Sequence, residues 1–408
     1  MKRQFSMSTV FRMTEKALLR QFFESFGVKM DSVCWDDINR RHIELLEKVF
    51  DDMPPNERDR AEVALRNIHA LACDKGMEAL DEAAESLQAG RAWNKDSFFG
   101  KNLYSRSMAA WLDHREIFEE AIKYFEADSR AWWRKRVDLP KITPVLTEES
   151  LENMEGEIAL LLKTTQGRGY ACTVEMVSRP NGKYYFFAHP DDYVRDALVH
   201  DENNDLVHQA IRQTFEVVFA YDSIDGSSEL SARLPQRVKE SLEAIFLRHV
   251  LGVEPEKEEE KPFDLSMLLD RNFDLTVRPE DRIKVGVTSL TLKWTGECSV
   301  CTTTKYPDSA REFAFKHIAK DWLSRPDLTV SRVRFRFEFQ STGEGRSRFL
   351  SFDIGAPFYC TLKNQHPALE EIIHRYLKEW RIEHDPNENA AFGGNNEVVA
   401  FVGARKRA

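Results

Sequence analysis

Cys172-Thr-Val-Glu-Met-Val-Ser-Arg179, then Pro180-Asn-Gly-Lys183, then Tyr184-Tyr-Phe-Phe-Ala-His189 is the stretch that decides how this chain is read. Two runs rich in β-branched and aromatic residues flank an Asn-Gly pair, which accepts the positive φ angles of a tight primed turn. That pattern predicts a hairpin. It also marks a change of period: apolar residues recur at helical spacing before residue 165 and at period two after it.

Upstream, Leu18, Leu19, Phe22, Phe23 and Phe26 form a helical stripe ended by Gly27. His42, Leu45, Leu46, Val49 and Phe50 form a second, stopped by Pro54-Pro55, and Ala61, Ala64, Leu65, Ile68 and Leu71 a third. Leu80, Ala83, Ala84 and Leu87 continue the pattern, and Met108, Trp111, Leu112, Phe118, Ala121, Ile122 and Phe125 predict one more long helix. Stripes of this kind face a core, so residues 1–145 read as a helical bundle domain.

Downstream of the hairpin, a helix is expected from Pro190, followed by the apolar run Phe215-Glu-Val-Val-Phe-Ala-Tyr221, a turn at Asp222-Ser-Ile-Asp-Gly226 and a helix over 236–251. These make a first α+β unit over 146–253. Glu254-Pro-Glu-Lys-Glu-Glu-Glu-Lys-Pro262 has no apolar residue, so 254–264 reads as a charged linker. The last third repeats the order. Strands 283–293 and 298–304 flank Thr295-Gly296, a helix starts near Pro307-Asp308, strands 330–339 and 346–354 flank 341–345, and a helix carries Leu369, Ile372, Ile373, Tyr376, Leu377 and Trp380. This is a second α+β unit over 265–384, with a tail over 385–408. The expected fold class is therefore α+β, a helical N-terminal domain and two α+β units, whose matching order reflects either a tandem ββαββα duplication or one continuous α+β domain in which the similarity is accidental.

Composition narrows the function classes. Of 408 residues 42% are hydrophobic and 31% charged, the balance of a globular protein. No apolar run reaches the roughly 18 residues that a membrane span needs, and Met1-Lys-Arg-Gln-Phe-Ser-Met-Ser-Thr-Val10 lacks the apolar core of a secretory signal. Six scattered cysteines do not form a disulfide framework, which favours a reducing, cytoplasmic setting. A net charge of −10 argues against wholesale wrapping of nucleic acid and leaves room for a local basic surface.

Two basic clusters are candidates for such a surface. Arg332, Arg334 and Arg336 alternate with Val333, Phe335 and Phe337, which puts three guanidinium groups on one strand face and the apolar residues on the other. Folding the hairpin about 341–345 sets Phe335 opposite Phe352 and Arg334 opposite Asp353. Trp132, Trp133, Arg134, Lys135 and Arg136 form the densest basic and aromatic cluster, suited to holding a phosphate backbone while bases stack. The plainer account of that cluster is a helix end, its cations against the negative terminus.

Ala188-His189-Pro190-Asp191-Asp192 resembles the His-Pro-Asp-Asp motif of zinc-dependent LmbE-like deacetylases. The resemblance implies a metal held by His189 and Asp192, with Asp191 as base, although Tyr193 stands where that family has Glu. A helix start explains the same residues without a metal. Asp222-Ser-Ile-Asp225-Gly226-Ser resembles a magnesium-binding segment of the inositol monophosphatase family, and is equally a plain turn. Arg195 and His200 have the R-x4-H spacing of HEPN-type ribonucleases. Cys298-Ser-Val-Cys301 is a lone C-x-x-C, short of the four ligands of a closed zinc site.

The expectation is a non-enzymatic binding or assembly protein without a cofactor. It contacts nucleic acid through the two basic clusters and protein partners through the helical N-terminal domain. A metal-dependent hydrolase using His189 and Asp192 is the alternative. A multi-component bacterial system of the antiphage kind is one setting for such a protein, though no residue points to it.

Overall fold

The computed structural model describes residues 4–30, 35, 43–87, 93, 101–130, 133–137, 139–144, 146–201, 203, 205–254, 261–270, 273–295, 299–305, 327–340, 347–362 and 367–384. Outside them lie Trp132, Cys298, most of the charged linker, the expected helix near Pro307, the turn 341–345 and the tail 385–408. The fold is α+β, with a helical N-terminal region followed by strands. The chain divides into two compact units, residues 1–130 with 171–220, and residues 131–170 with 221–408.

Among the described residues of the first unit the helices come first: α1 (Met7–Met13), α2 (Lys16–Ser25), α3 (Glu44–Asp51), α4 (Pro55–Leu71), α5 (Asp74–Ser86), α6 (Leu103–Asp113) and α7 (Arg115–Asp128). Leu18, Leu19, Phe22 and Phe23 of α2 are buried, as their spacing predicts. The single long helix expected through 108–125 is instead two. His114 leaves helical geometry at φ −137° and ψ 60°, closing α6 and opening α7.

β2 (Val174–Ser178) and β3 (Lys183–Ala188) form the expected hairpin in the register Val174↔Ala188 to Ser178↔Tyr184. Gly182 takes φ +79° at its turn. Arg179 at the hairpin corner is buried, its guanidinium 2.9 Å from Asp128 and stacked on Tyr124 and Tyr185.

No helix follows Pro190. The chain runs instead as β4 (Asp191–His200) and returns as β5 (Leu206–Thr214), a two-stranded ribbon on its own. Tyr193, Val194, Val199, Val207 and Ile211 are β-branched or aromatic residues, which favour an extended backbone over a helix. Asp201 closes the tip by accepting from the backbone N–H groups of Asn203 and Asp205, at 2.8 and 2.9 Å. The first half therefore lacks the helix that a ββαββα unit requires, and the tandem duplication does not hold.

β6 (Val217–Asp222) passes from the first unit into the second after Ala220. The second unit contains β1 (Trp133–Arg136), α8 (Glu148–Gln166), β7 (Ser227–Ser231), α9 (Gln236–Phe246), β8 (Ile283–Thr295), β9 (Ser299–Lys305), β10 (Leu328–Phe339), β11 (Arg348–Gly355), β12 (Tyr359–Cys360) and α10 (Pro367–Glu379). Its strands lie in the order β7-β1-β12-β11-β10-β8-β9, and the pairs are antiparallel. Gly226, ahead of β7, has φ +71°, and a Cβ there would sit 2.3 Å from the Leu139 carbonyl oxygen, so only glycine fits.

The core of this unit lies on one face of the sheet. Val333, Phe335 and Phe337 of β10 and Phe352 and Ile354 of β11 pack there with Ile373, Tyr376, Leu377 and Trp380. Phe335 and Phe337 are fully buried, each contributing about 1.5–3 kcal/mol. Such a face fixes register, because a slip of one residue would turn the phenylalanines out and the arginines in.

Candidate functional site

β10 pairs with β11 as the hairpin register predicts, with Arg334 opposite Asp353 and Phe335 opposite Phe352. With the odd-numbered residues in the core, Arg332, Arg334 and Arg336 stand on the outer face. The pairing of β8, β9 and β11 brings further residues onto that face: Lys284, Ser289, Thr291, Lys293, Cys301, Thr303, Lys305, Phe349 and Ser351. Among the described residues the acids on it are Glu338 and Asp353.

Each arginine on this face has a distinct setting. Arg334 makes a forked contact with Asp353, Nε to Oδ1 at 3.0 Å and Nη2 to Oδ2 at 2.7 Å, and these hydrogen bonds raise its pKa. The pair holds the guanidinium in place while half of the arginine side chain stays exposed. Arg336 lies 4.4 Å from the centroid of Phe349, a ring that is 52% exposed. Arg332 is exposed and helps to line a cavity of about 890 Å³.

The other walls of that cavity include Arg233 and Lys239 around the start of α9, Thr291, Thr303 and Cys301 from β8 and β9, and Tyr359 from β12. No carboxylate lines it among the described residues. The Lys239 Nζ is 5.2 Å from the Tyr359 ring centroid, and the Tyr359 hydroxyl donates to Gln236 Oε1 at 2.6 Å. Burial, with Arg134 behind it, pushes the Lys239 ammonium pKa down. An anion entering the cavity would reverse that penalty.

The second basic cluster is corrected by the structure. Residues 133–136 form strand β1, not a helix end, and β1 lies between β7 and β12. Trp133, Arg134 and Arg136 are 1–2% exposed. The Arg134 Nη2 is 3.3 Å from Glu243 Oε2, and its guanidinium carbon is 4.1 Å from the Phe358 ring centroid. Lys135 donates to Glu383 Oε1 at 3.0 Å, and the other oxygen of Glu383 is 2.6 Å from His374 Nδ1. A central strand has neighbours on both edges, and with their side chains covered too, Trp133, Arg134 and Arg136 present no surface to a nucleic acid, while the partly exposed Lys135 is held by Glu383.

The motif residues fall elsewhere. His189 and Pro190 form the corner between β3 and β4, where the His189 N–H donates to the Thr173 carbonyl at 2.8 Å. Asp192 accepts from the Tyr193 N–H at 2.9 Å. Among the described residues no three His, Cys, Asp or Glu side chains, His189 and Asp192 included, are grouped to hold a metal ion. Arg195 and His200, five apart on β4, face opposite sides of a strand. Asp222 and Asp225 spend their oxygens on turn N–H groups, those of Ile224 and Ser227 at 2.9 Å each.

Sequence reasoning missed Arg233, Lys239, Tyr359 and Phe349. The register that puts Arg334 opposite Asp353 also puts Phe349 opposite Glu338, on the basic face, so this residue was within reach. Arg233, Lys239 and Tyr359 come from β12 and the α9 region, and their approach to β10 follows from a strand order that no local pattern encodes. Neither the protein-family models nor the curated proteins compared with this chain give a match, so the site is read from its geometry.

Proposed function

We propose that the protein is a non-enzymatic nucleic-acid-binding protein that holds a single strand on the outer face of β8–β11. One observation supports this above the others. Arg332, Arg334 and Arg336 stand in a row on the face opposite the core, among lysines and beside the exposed ring of Phe349. Successive arginines are two residues apart, about 6.6 Å along the strand, so they offer a track of positive charge for a phosphate backbone. An exposed phenylalanine beside that track gives a base something to stack on, which a strand with unpaired bases can use.

The test is binding of a fluorescent oligonucleotide across a salt series. Wild type is expected to bind at low salt, and the triple variant R332Q/R334Q/R336Q to bind weakly. The slope of log affinity against log salt should flatten by about 0.7 for each phosphate that no longer meets a guanidinium. An unchanged slope in the triple variant removes this face from the site, and a wild type that binds no strand at low salt removes the ligand class.

A further inference from the structure

We infer that the cavity at the Arg332 end of β10 receives the terminal phosphate of the bound strand, a phosphate monoester, so that the protein prefers strands ending in phosphate. The inference rests on the binding reading above and adds a direction to it. Three cations reach this cavity from three separate parts of the second unit: Arg332 from β10, Arg233 from the segment between β7 and α9, and Lys239 from the first turns of α9. Along β10 beyond it, Arg334 and Arg336 offer one cation per step.

That difference in charge density matches the difference between the two kinds of phosphate. A phosphodiester inside a strand carries one negative charge, whereas a terminal monoester carries about −1.5 to −2 near neutral pH. Converging cations favour the monoester, and a single-file row suits the diesters. The start of α9 adds to the same preference, since its first turn holds no acid and Pro235 precedes its first residue, leaving N–H groups at the positive helix end. At about 890 Å³ the cavity exceeds what a phosphate alone fills and lies in the range of small-molecule sites, so the last nucleotide enters with it, beside the Tyr359 ring.

A free mononucleotide has the same phosphate chemistry, so the experiment separates it from a strand end. Affinities are measured for one oligonucleotide made with hydroxyl ends, with a 5′-phosphate and with a 3′-phosphate, and the matching mononucleotide is used as competitor. One phosphate-ended form is expected to bind wild type about tenfold tighter than the hydroxyl-ended form, as charge-assisted hydrogen bonds of this kind imply. The variant R233Q/K239Q should lose that preference and bind all three ends with equal affinity. The exposed Cys301 thiol lines the cavity, so its alkylation, mapped by mass spectrometry, should slow more with the phosphate-ended strand than with the hydroxyl-ended one. Equal binding of all three ends overturns the inference and leaves the binding reading intact. Binding of none overturns that reading, and the inference with it. A mononucleotide that competes as well as the phosphate-ended strand makes the cavity a small-molecule site and overturns the inference.

Discussion

β1 and β10 are the two basic strands of the second unit, and the structure uses them in opposite ways. On β10 every cation stands on the outer face, and Val333, Phe335 and Phe337, which alternate with the arginines, are buried. On β1 the cations are inside, Arg134 against Glu243 and Lys135 against Glu383. Density of charge in the sequence does not separate the two, since Trp-Arg-Lys-Arg is the denser. Alternation does. Val333, Phe335 and Phe337 claim one face for the core and so force the arginines out, whereas β1 offers only Trp133 as an apolar residue and states no preference between faces. Where a strand lacks an apolar face, its cations go wherever acids from distant segments can meet them.

The largest test of this contrast is a single substitution made on each strand. Arg134→Gln takes from Glu243, 3% exposed, the guanidinium that lies 3.3 Å from its carboxylate. Breaking such a pair from one side costs about 3–5 kcal/mol. A loss of that size in the unfolding free energy from urea titration is expected, and a loss below about 1 kcal/mol would show that β1 is more open than its geometry implies.

Acid should act on β1 almost as strongly. Burial by itself would raise the Glu383 carboxyl, but Lys135 and His374 more than reverse this and hold it at about 2, against 4.5 for an ordinary glutamate. The folded pKa is thus depressed, so the carboxylate stabilises the fold fully above about pH 4.5. That contribution is lost as pH falls through about 2. The shift corresponds to about 3 kcal/mol. Glu383→Gln should be less stable than wild type at neutral pH, and the gap should narrow by about that amount over this window. A gap that is constant with pH would mean that Glu383 does not carry the effect.

The same distinction explains what is legible in the sequence. The β2–β3 hairpin is readable because Asn-Gly fixes a turn, and the β10–β11 register because one face is wholly apolar. The ribbon of β4 and β5 reads as a helix because neither of its strands is buried on one side. Leu198 and Leu206 are 58% and 60% exposed, so alternation has no reason to appear. α8 went unexpected although Thr147 and Ser150 form a capping box and Met154, Ile158 and Leu162 recur every four residues, which is a readable signal. Of the candidate site, the arginine row is legible from β10 alone. The cavity is not, because Arg233, Lys239 and Tyr359 join Arg332 through a strand order in which β12 reaches β11 and β1 together.

The smallest effects should come from β10, and they should be graded. Arg334→Gln strips a forked partner from Asp353, whose side chain is 12% exposed, while the arginine itself is half exposed. Solvent screens such a pair, so the cost is on the order of 1 kcal/mol. Arg332→Gln removes a charge on an exposed face beside a cavity lined by two further cations, Arg233 and Lys239. Relief of the repulsion among these three cations offsets what the guanidinium contributes to the fold, and the unfolding free energy from urea titration should change by less than about 0.5 kcal/mol. One chemical change, Arg→Gln, then spans about 3–5 kcal/mol at position 134, about 1 at 334 and less at 332. Binding should run the other way, with the strand released most by the substitutions that cost the fold least. If Arg332→Gln destabilised the protein as much as Arg134→Gln, the guanidinium would be serving the fold, and the outer face of β10 would lose its standing as a binding surface.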